Sequence, residues 1–70
     1  MRNRLEALRT QRSWTQQELA DMVDVSRQTI ISLERGRYNP SITLAFRLAR
    51  LFGIRIEDVF LYSDEEDRHG

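Results

Sequence analysis

The stretch Gln16–Arg35, QQELADMVDVSRQTIISLER, decides the fold that this 70-residue chain is predicted to adopt. Its apolar residues recur at helical spacing on either side of a short polar break. The pattern predicts one helix over Gln16–Val23, a tight turn at Asp24-Val25, and a second helix over Arg27–Arg35. Two short helices joined by so short a turn must pack against each other at a steep angle.

Capping residues support both helix starts. Thr15 and Ser26 each stand just before a helical pattern, where a hydroxyl can accept from free backbone N–H groups. Glu18 follows Thr15 at the spacing of a capping box. Val25 can fill the angle between the helices, and the small Ala20 allows them to cross closely.

The second helix carries a polar outward face that matches the chemistry of DNA bases. Arg and Gln offer forked donors and acceptors that fit base edges in a major groove, Ser is adaptable, and Ile can contact a thymine methyl. A helix-turn-helix presents its recognition helix in this way. The alternative is an ordinary solvated helix face, which the two-helix unit and its caps make the weaker interpretation. The outward residues are Arg27, Gln28, Ile31, Ser32 and Arg35.

Three further helices complete the prediction of an all-α domain. They are expected over Met1–Arg12, over Ile42–Phe52 and near Glu57–Phe60, with Gly36 and Gly53 ending the helices before them. Trp14 is predicted to anchor the core beside the first corner, with a stacking or ligand role as the alternative. The predicted core is Leu5, Leu8, Trp14, Leu19, Ala20, Val23, Val25, Ile30, Leu33, Leu44, Leu48, Ala49, Phe52, Ile54, Val59 and Phe60.

Composition excludes several classes of function. The chain has no cysteine, and its one histidine, His69, stands in a polar tail, so no metal site and no cofactor are predicted. The acids Asp64–Asp67 lie on the same tail without fixed geometry, so catalysis is not expected. No apolar run approaches a membrane span and no signal peptide opens the chain. We therefore expect a cytoplasmic, nucleoid-associated protein that is not an enzyme.

The formal net charge is +0, but its distribution is uneven. Residues 1–55 hold ten Arg and five acids, 10 − 5 = +5, whereas residues 56–70 hold one Arg and six acids, 1 − 6 = −5. A basic body with an acidic tail is consistent with a face that binds a polyanion.

The end of the chain predicts self-association. Residues 1–60 are assigned to the helical domain and 61–70 to a dimerisation segment and an acidic tail, of which Ser63–Gly70 is expected to be disordered. The apolar segment Phe60-Leu61-Tyr62 is predicted to pair with its counterpart in a second chain, by strand addition or by packing. The alternative is that it folds back on the first and fifth helices of its own chain.

The quoted residues resemble a known family. The matching motifs are Leu5-x-x-Leu8-Arg9, Trp14-Thr15-Gln16-Gln17-Glu18-Leu19-Ala20, Val25-Ser26-Arg27-Gln28-Thr29-Ile30, Leu33-Glu34-Arg35-Gly36 and Asn39-Pro40-Ser41. Together they look like the Cro-type, or xenobiotic-response-element (XRE), helix-turn-helix family over about residues 3–60. The resemblance implies a compact five-helix, lambda-repressor-like domain that regulates transcription, with a repressor as the expected form and a dimer on a palindromic operator.

The resemblance also assigns roles to residues. Base edges are assigned to Arg27, Gln28 and Ser32, with Ile31 beside them, and a structural ion pair is assigned to Arg9 and Glu34. The resemblance assigns phosphates to Gln16 and to Arg37, Tyr38 and Asn39, which the loop after the second helix could also bring to the flanking phosphates; a plain polar loop is the alternative. Gln17 and Arg35 are predicted to contact phosphates as well. Double-stranded DNA and a second copy are the expected partners, and the alternative function is an antitoxin or other protein-interaction module whose C-terminal segment binds a partner such as a toxin.

Three positions depart from the family pattern. Ser13 and Asp24 stand where the family often has glycine, so a strained left-handed backbone is expected at Ser13, while Asp tolerates that conformation better than most residues. Ile31 replaces a residue that is commonly small or polar, and either reads a methyl group or is simply exposed.

Overall fold

The computed structural model describes residues 1–37 and 39–61, and it confirms the five-helix prediction. The helices are α1 (Leu5–Gln11), α2 (Gln16–Met22), α3 (Arg27–Glu34), α4 (Ile42–Phe52) and α5 (Ile56–Val59). Two short strands, β1 (Arg2–Asn3) and β2 (Phe60–Leu61), join the two ends of the described chain. Within the described residues α2, α3 and α4 lie within one residue of their predicted bounds, because caps and apolar spacing define these helices locally.

The first helix was predicted to begin too early. Met1–Arg4 lie outside α1, because β1 pairs antiparallel with β2, Arg2 opposite Leu61 and Asn3 opposite Phe60. The Asn3 Oδ1 accepts from the backbone N–H of Leu5 at 3.0 Å, which gives the helix a start at this point. A polar side chain that accepts from a free helical N–H favours a helix boundary over continuation toward the N-terminus.

The C-terminal segment forms the second strand of the small sheet. The strand at Phe60–Leu61 pairs with β1 of the same chain, and the predicted pairing with a second chain stays a prediction. Phe60 is 5% exposed and belongs to the core, whereas Leu61 is 41% exposed. Tyr62, the third residue of the predicted dimer segment, lies outside the described residues, as do Tyr38 and the tail.

One cluster of buried apolar side chains holds the helices together. Thirteen of the sixteen predicted core residues are buried, and Trp14, Val25 and Ile54 pack against the cluster while partly exposed. Ala45 joins the core although the predicted list omitted it. Burial of this apolar surface is the main favourable term that a chain of this size has available.

Four of the described residues have a positive φ, and they make the corners. Ser13 (φ 59°) and Asp24 (φ 60°) turn the chain before α2 and α3, and Gly36 and Gly53 (both φ 70°) follow α3 and α4. The left-handed backbone expected at Ser13 is therefore present, and Asp24 adopts it as well. The corners set the directions in which α2 and α3 leave, and so they position the site.

Candidate DNA interface

The helix α3 is held at its N-terminal end by its own cap and by α2. The Ser26 Oγ accepts from the N–H of Thr29 at 3.2 Å, and the Val25 N–H donates to the Ala20 carbonyl at 3.0 Å across the turn. The start of α2 is closed by a full capping box, in which Thr15 and Glu18 each accept from the backbone N–H of the other. The turn geometry is thus specified on both sides by hydrogen bonds.

Packing divides α3 into two faces. Ile30 and Leu33 are buried against the body of the domain. On the opposite side Arg27, Gln28 and Arg35 are exposed, while Ile31 and Ser32 are half-buried. The Gln28 Nε2 donates to the Ser32 Oγ at 3.5 Å, a long contact that solvent or a ligand could replace at little cost. The structure therefore brings all five predicted outward residues to one face.

Arg9 and Glu34, the pair implied by the family resemblance, form a salt bridge between α1 and the last residue of α3. The Arg9 Nε donates to Glu34 Oε2 at 2.7 Å and its Nη2 to Glu34 Oε1 at 3.2 Å, a bidentate geometry. Only 13% of the Arg9 side chain and 3% of the Glu34 side chain are exposed. The hydrogen bond to Glu34 raises the pKa of Arg9 above its ordinary value, against the opposing effect of burial, so its guanidinium stays charged.

The same ion pair extends to α2. The Arg9 Nη1 donates to the Trp14 carbonyl at 2.8 Å, and the Gln16 Nε2 donates to Glu34 Oε1 at 3.1 Å. One buried carboxylate thus links α1, the start of α2 and the end of α3. This network orients α3 relative to the first two helices, and it holds the Gln16 amide beside the outward face.

Trp14 has a structural environment. Its ring lies 5.7 Å from the ring of Phe52, and the Arg12 guanidinium stands 5.3 Å from the Trp14 centroid and 5.4 Å from the Phe52 centroid. The Arg12 Nη2 also donates to the Phe52 carbonyl at 3.0 Å. Trp14 therefore anchors the α1–α2 corner to the end of α4, as predicted.

A polar depression of about 340 Å³ lies where α1, α2 and α3 meet. Arg27 and Arg35 border it on α3, and Glu6 borders it on α1. Glu34 also lines it, but its charge is already matched by Arg9. The remaining lining residues are Arg9, Gln16 and Ile31. Two exposed guanidinium groups at the edge of a polar hollow suit an anionic polymer better than an apolar ligand.

A helix-turn-helix family model matches residues 5–59, which is most of the chain and includes all five helices. The chain belongs to the XRE-type helix-turn-helix family.

The relatives of this helix-turn-helix chain agree with the family match. It is 50% identical over 66 residues to an HTH-type transcriptional regulator of Methanocaldococcus jannaschii, covering 94% of this chain and 100% of that protein. It is 35% identical over 63 residues to the competence pilus inhibition repressor of Acinetobacter baylyi, covering 90% of this chain and 57% of that protein.

A solved structure has the same fold. The restriction-modification controller protein C.AhdI of Aeromonas hydrophila superposes with a TM-score of 0.73 at 32% identity, covering 81% of this chain and 86% of that one. Together with the family match, these similarities make the chain a DNA-binding transcriptional regulator. The family points to a regulator and not to an enzyme.

The predicted phosphate residues occupy different environments. Gln16 is half-buried and bound to Glu34, while Gln17 is exposed and donates to Asp21 Oδ1 at 2.9 Å. Arg35, Arg37 and Asn39 are exposed at the end of α3 and in the loop after it, and Tyr38 lies outside the described residues. Arg35 and Arg37 are therefore accessible cations on one flank of α3.

Sequence reasoning missed how the N-terminal residues support the far end of α3. The Asn3 Nδ2 donates to the Leu33 carbonyl at 2.7 Å, and the Met1 backbone nitrogen donates to the Gly36 carbonyl at 2.9 Å. The Leu33 carbonyl also accepts from the Gly36 N–H at 2.9 Å, so these bonds add a second donor there and tie the N-terminal residues to the end of α3. The position of Asn3 two residues before the buried Leu5 was the one hint of this in the sequence.

None of the described helices is long and apolar enough to cross a membrane. Within residues 1–37 and 39–61, no three His, Cys, Asp or Glu side chains are grouped to hold a metal ion.

Proposed function

We propose that this regulator binds double-stranded DNA by inserting α3 into the major groove, as a homodimer on a palindromic operator, and that it acts as a repressor. The observation that carries the proposal is the outward face of α3. Arg27 and Gln28 are exposed on this face, and the opposite face of α3 is buried. The Ser26 cap holds one end of α3, and the Arg9–Glu34 salt bridge holds the other.

Base reading is assigned to the outward face of α3. Arg27 can donate two hydrogen bonds to a guanine, and Gln28 can exchange two with an adenine. Ser32 and Ile31 stand one turn further along, where a hydroxyl can adapt and an alkyl group can contact a thymine methyl. All four side chains are on the face away from the buried Ile30 and Leu33.

Phosphate contacts would set the register of α3 without reading sequence. Arg35, Arg37, Tyr38 and Asn39 are assigned to the flank after α3, and Gln16 and Gln17 to the start of α2. Gln16 donates one amide hydrogen to Glu34, so the other remains to meet a phosphate oxygen. In this arrangement Arg9 and Glu34 are positioning residues that fix Gln16 and α3 but do not contact bases.

Two copies extend the recognised sequence. An eight-residue helix spans only a few base pairs, and a two-fold dimer would place two such helices about 34 Å apart, one turn of DNA. The repressor role is supported by the relative named as the competence pilus inhibition repressor. A helix-turn-helix protein seated on a promoter represses by competing with polymerase for the same DNA.

The test begins with selection of bound duplexes from a random pool, which identifies the operator and its half-site spacing. Arg27→Ala and Gln28→Ala are then titrated against that operator and its single-base variants. Each is expected to weaken operator binding at least about 30-fold, because a bidentate base contact is worth roughly 1–3 kcal/mol and the dimer loses one in each copy. Each should also lose preference at one base pair per half-site.

Arg50→Ala is the matched control, since Arg50 is an exposed arginine on α4, outside the face of α3. It removes the same charge and should leave both affinity and base preference nearly unchanged. If Arg27→Ala and Gln28→Ala discriminate among all operator variants as the parent does, the assignment of base reading to this face is wrong.

A further inference from the structure

A second polar hollow, of about 500 Å³, lies where the two-stranded sheet meets the end of α3. Leu61, the last residue of β2, lines this hollow together with Arg35 and Gly36. The strand β2 therefore ends beside a cation that the proposed function assigns to phosphates. We call this surface the sheet hollow; its other lining residues are Met1, Arg2, Asn3 and Glu34.

The charge around the sheet hollow favours an anionic occupant. Arg35 is exposed at its border, and Arg37, one residue beyond Gly36, is exposed beside it. Neither arginine forms a salt bridge with any of the described residues. Glu34 is the one acid among the described lining residues, and Arg9 already matches its charge. Two cations without a described counter-charge thus stand close to the end of β2.

The sequence just beyond Leu61 contains an anion of the required kind. After Tyr62 and Ser63 it continues with four successive acids, Asp64–Asp67, which we call the acidic run. An extended chain spans at most about 3.6 Å per residue, so the acidic run begins no more than about 11 Å from Leu61. Carboxylates tethered at so short a range act at a high effective concentration, which allows even weak ion pairs to form.

Other occupants suit the sheet hollow less well. An apolar ligand would leave the guanidinium groups without partners. A small anion from solution would meet the same cations, but it loses a freedom of movement that a tethered carboxylate has already lost. The acids that precede Leu61 are engaged elsewhere, because Glu57 and Asp58 lie 3.7 and 3.4 Å from Arg55.

We propose that the acidic run occupies Arg35 and Arg37 when no DNA is bound, and that DNA phosphates must displace it. The inference rests on the proposed function, because it concerns the arginines which that function assigns to phosphates. Such competition lowers the affinity for operator and for unrelated duplex alike, since all duplexes present the same phosphates. Unrelated duplex is then released first, because it lacks the base contacts that hold the operator.

The first test measures this competition by titrating a duplex of unrelated sequence at low salt. The tail variant, Asp64→Asn/Glu65→Gln, removes two charges from the acidic run. The matched control, Glu57→Gln/Asp58→Asn, removes two charges from α5. The tail variant is expected to bind at least about threefold more tightly than the parent, because fewer exposed ion pairs must break. The control should stay close to the parent.

The same two tail substitutions in an Arg35→Ala/Arg37→Ala background separate contact from long-range repulsion. If the acidic run acts by occupying these arginines, its neutralisation gains nothing once they are absent. A gain that persists at full size in this background, or one that the α5 control matches, overturns the inference.

The second test contains no DNA and reports the contact directly. The chain has no cysteine, so His69→Cys provides a single site for a spin label just beyond the acidic run. The label is expected to broaden the backbone amide signals of Arg35 and Arg37 more than that of Arg50, an exposed arginine on α4. The broadening should decrease in the tail variant and in about 0.5 M salt, which screens exposed charges within a few ångströms. Broadening that is unchanged by both comes from the tether alone and overturns the inference.

The outcomes also separate this inference from the proposed function. If the parent binds duplex and the tail variant binds no better, the inference is overturned while the proposed function stands. If the parent binds no duplex at low salt, the proposed function fails, and the competition fails with it. The spin-label measurement then shows by itself whether the acidic run contacts Arg35 and Arg37.

Discussion

At the scale of single residues, Glu34 is the group on which the arrangement of the site most depends. Its carboxylate accepts from Arg9 and from Gln16, and its side chain is almost completely buried. A buried charge of this kind adds little net stability when it is paired, but removing one partner leaves the other without compensation. The pair therefore specifies the position of α3 more than it strengthens the fold.

Replacing Glu34 with Gln should show this dependence. Glu34→Gln keeps the shape but leaves the Arg9 guanidinium without a counter-charge, so we expect a loss of about 3 kcal/mol in the free energy of unfolding. Urea denaturation of Glu34→Gln and of the double variant Arg9→Met/Glu34→Leu measures this loss. The double variant should lose less unfolding free energy than Glu34→Gln.

Arg55→Gln is the control, because the Arg55–Glu57 pair is exposed on both sides. An exposed pair contributes roughly 0–1 kcal/mol, so its denaturation midpoint should barely move. If the denaturation midpoint of Glu34→Gln shifts as little as that of Arg55→Gln, the role given to the buried carboxylate is contradicted.

At the scale of elements, local patterns predicted most of the fold. The helices α2, α3 and α4 follow from caps and apolar spacing, which act within a few residues. Ser13 and Asp24 stand where the family often has glycine, and both still adopt the left-handed backbone of the corner. The β1–β2 pair was missed because two-residue strands have no periodicity and join the ends of the described chain. It depends on tertiary packing, which a sequence pattern does not contain.

The site divides in the same way. The outward face of α3 follows from helical geometry, and the Arg9–Glu34 pair followed from family resemblance. The bond from Gln16 to Glu34 depends on side-chain conformations that spacing does not specify. The exposure of Ile42 and Phe46 depends on how α4 packs beside α5, which apolar spacing does not specify, and neither residue was in the predicted core.

Gly36, after α3, and Gly53, after α4, offer a matched test of how the N-terminal residues support the end of α3. Gly36 and Gly53 have the same φ of 70°, but a Cβ at Gly36 would stand 2.9 Å from the Met1 carbonyl oxygen, whereas a Cβ at Gly53 meets nothing within 4 Å. Gly53→Ala should therefore lose about 1 kcal/mol of unfolding free energy from backbone strain alone. Gly36→Ala should lose at least about 2 kcal/mol, because the N-terminal residues must also move.

Thermal and urea denaturation of both variants gives the difference between them. That difference measures the contact between the N-terminal residues and the end of α3, since the backbone strain is common to both. Equal losses would mean that the N-terminal residues yield freely and do not support α3.

At the scale of the whole molecule, the arginines proposed to contact phosphates are separate from the side chains proposed to read bases. Residues 1–55, which carry a net positive charge, include the exposed Arg35 and Arg37 on the flank of α3. The proposed dimer has two copies of each of these arginines. Each phosphate neutralised by a cation releases counterions. The logarithm of the binding constant therefore falls as the logarithm of the salt concentration rises, with a slope of about −0.9 per phosphate contact on duplex DNA. Four such contacts predict a slope of about −3.6.

Arg37→Ala should reduce the steepness of that slope by about 2, one contact in each copy, and should weaken binding to all sequences alike. Gln28→Ala should leave the slope unchanged and alter base preference instead, because an amide displaces no counterion. Fluorescence titrations of operator and of unrelated duplex over a series of salt concentrations measure both quantities. If Arg37→Ala keeps the parent slope, or if Gln28→Ala changes it as much, the division between a base-reading face and a phosphate-binding flank does not hold.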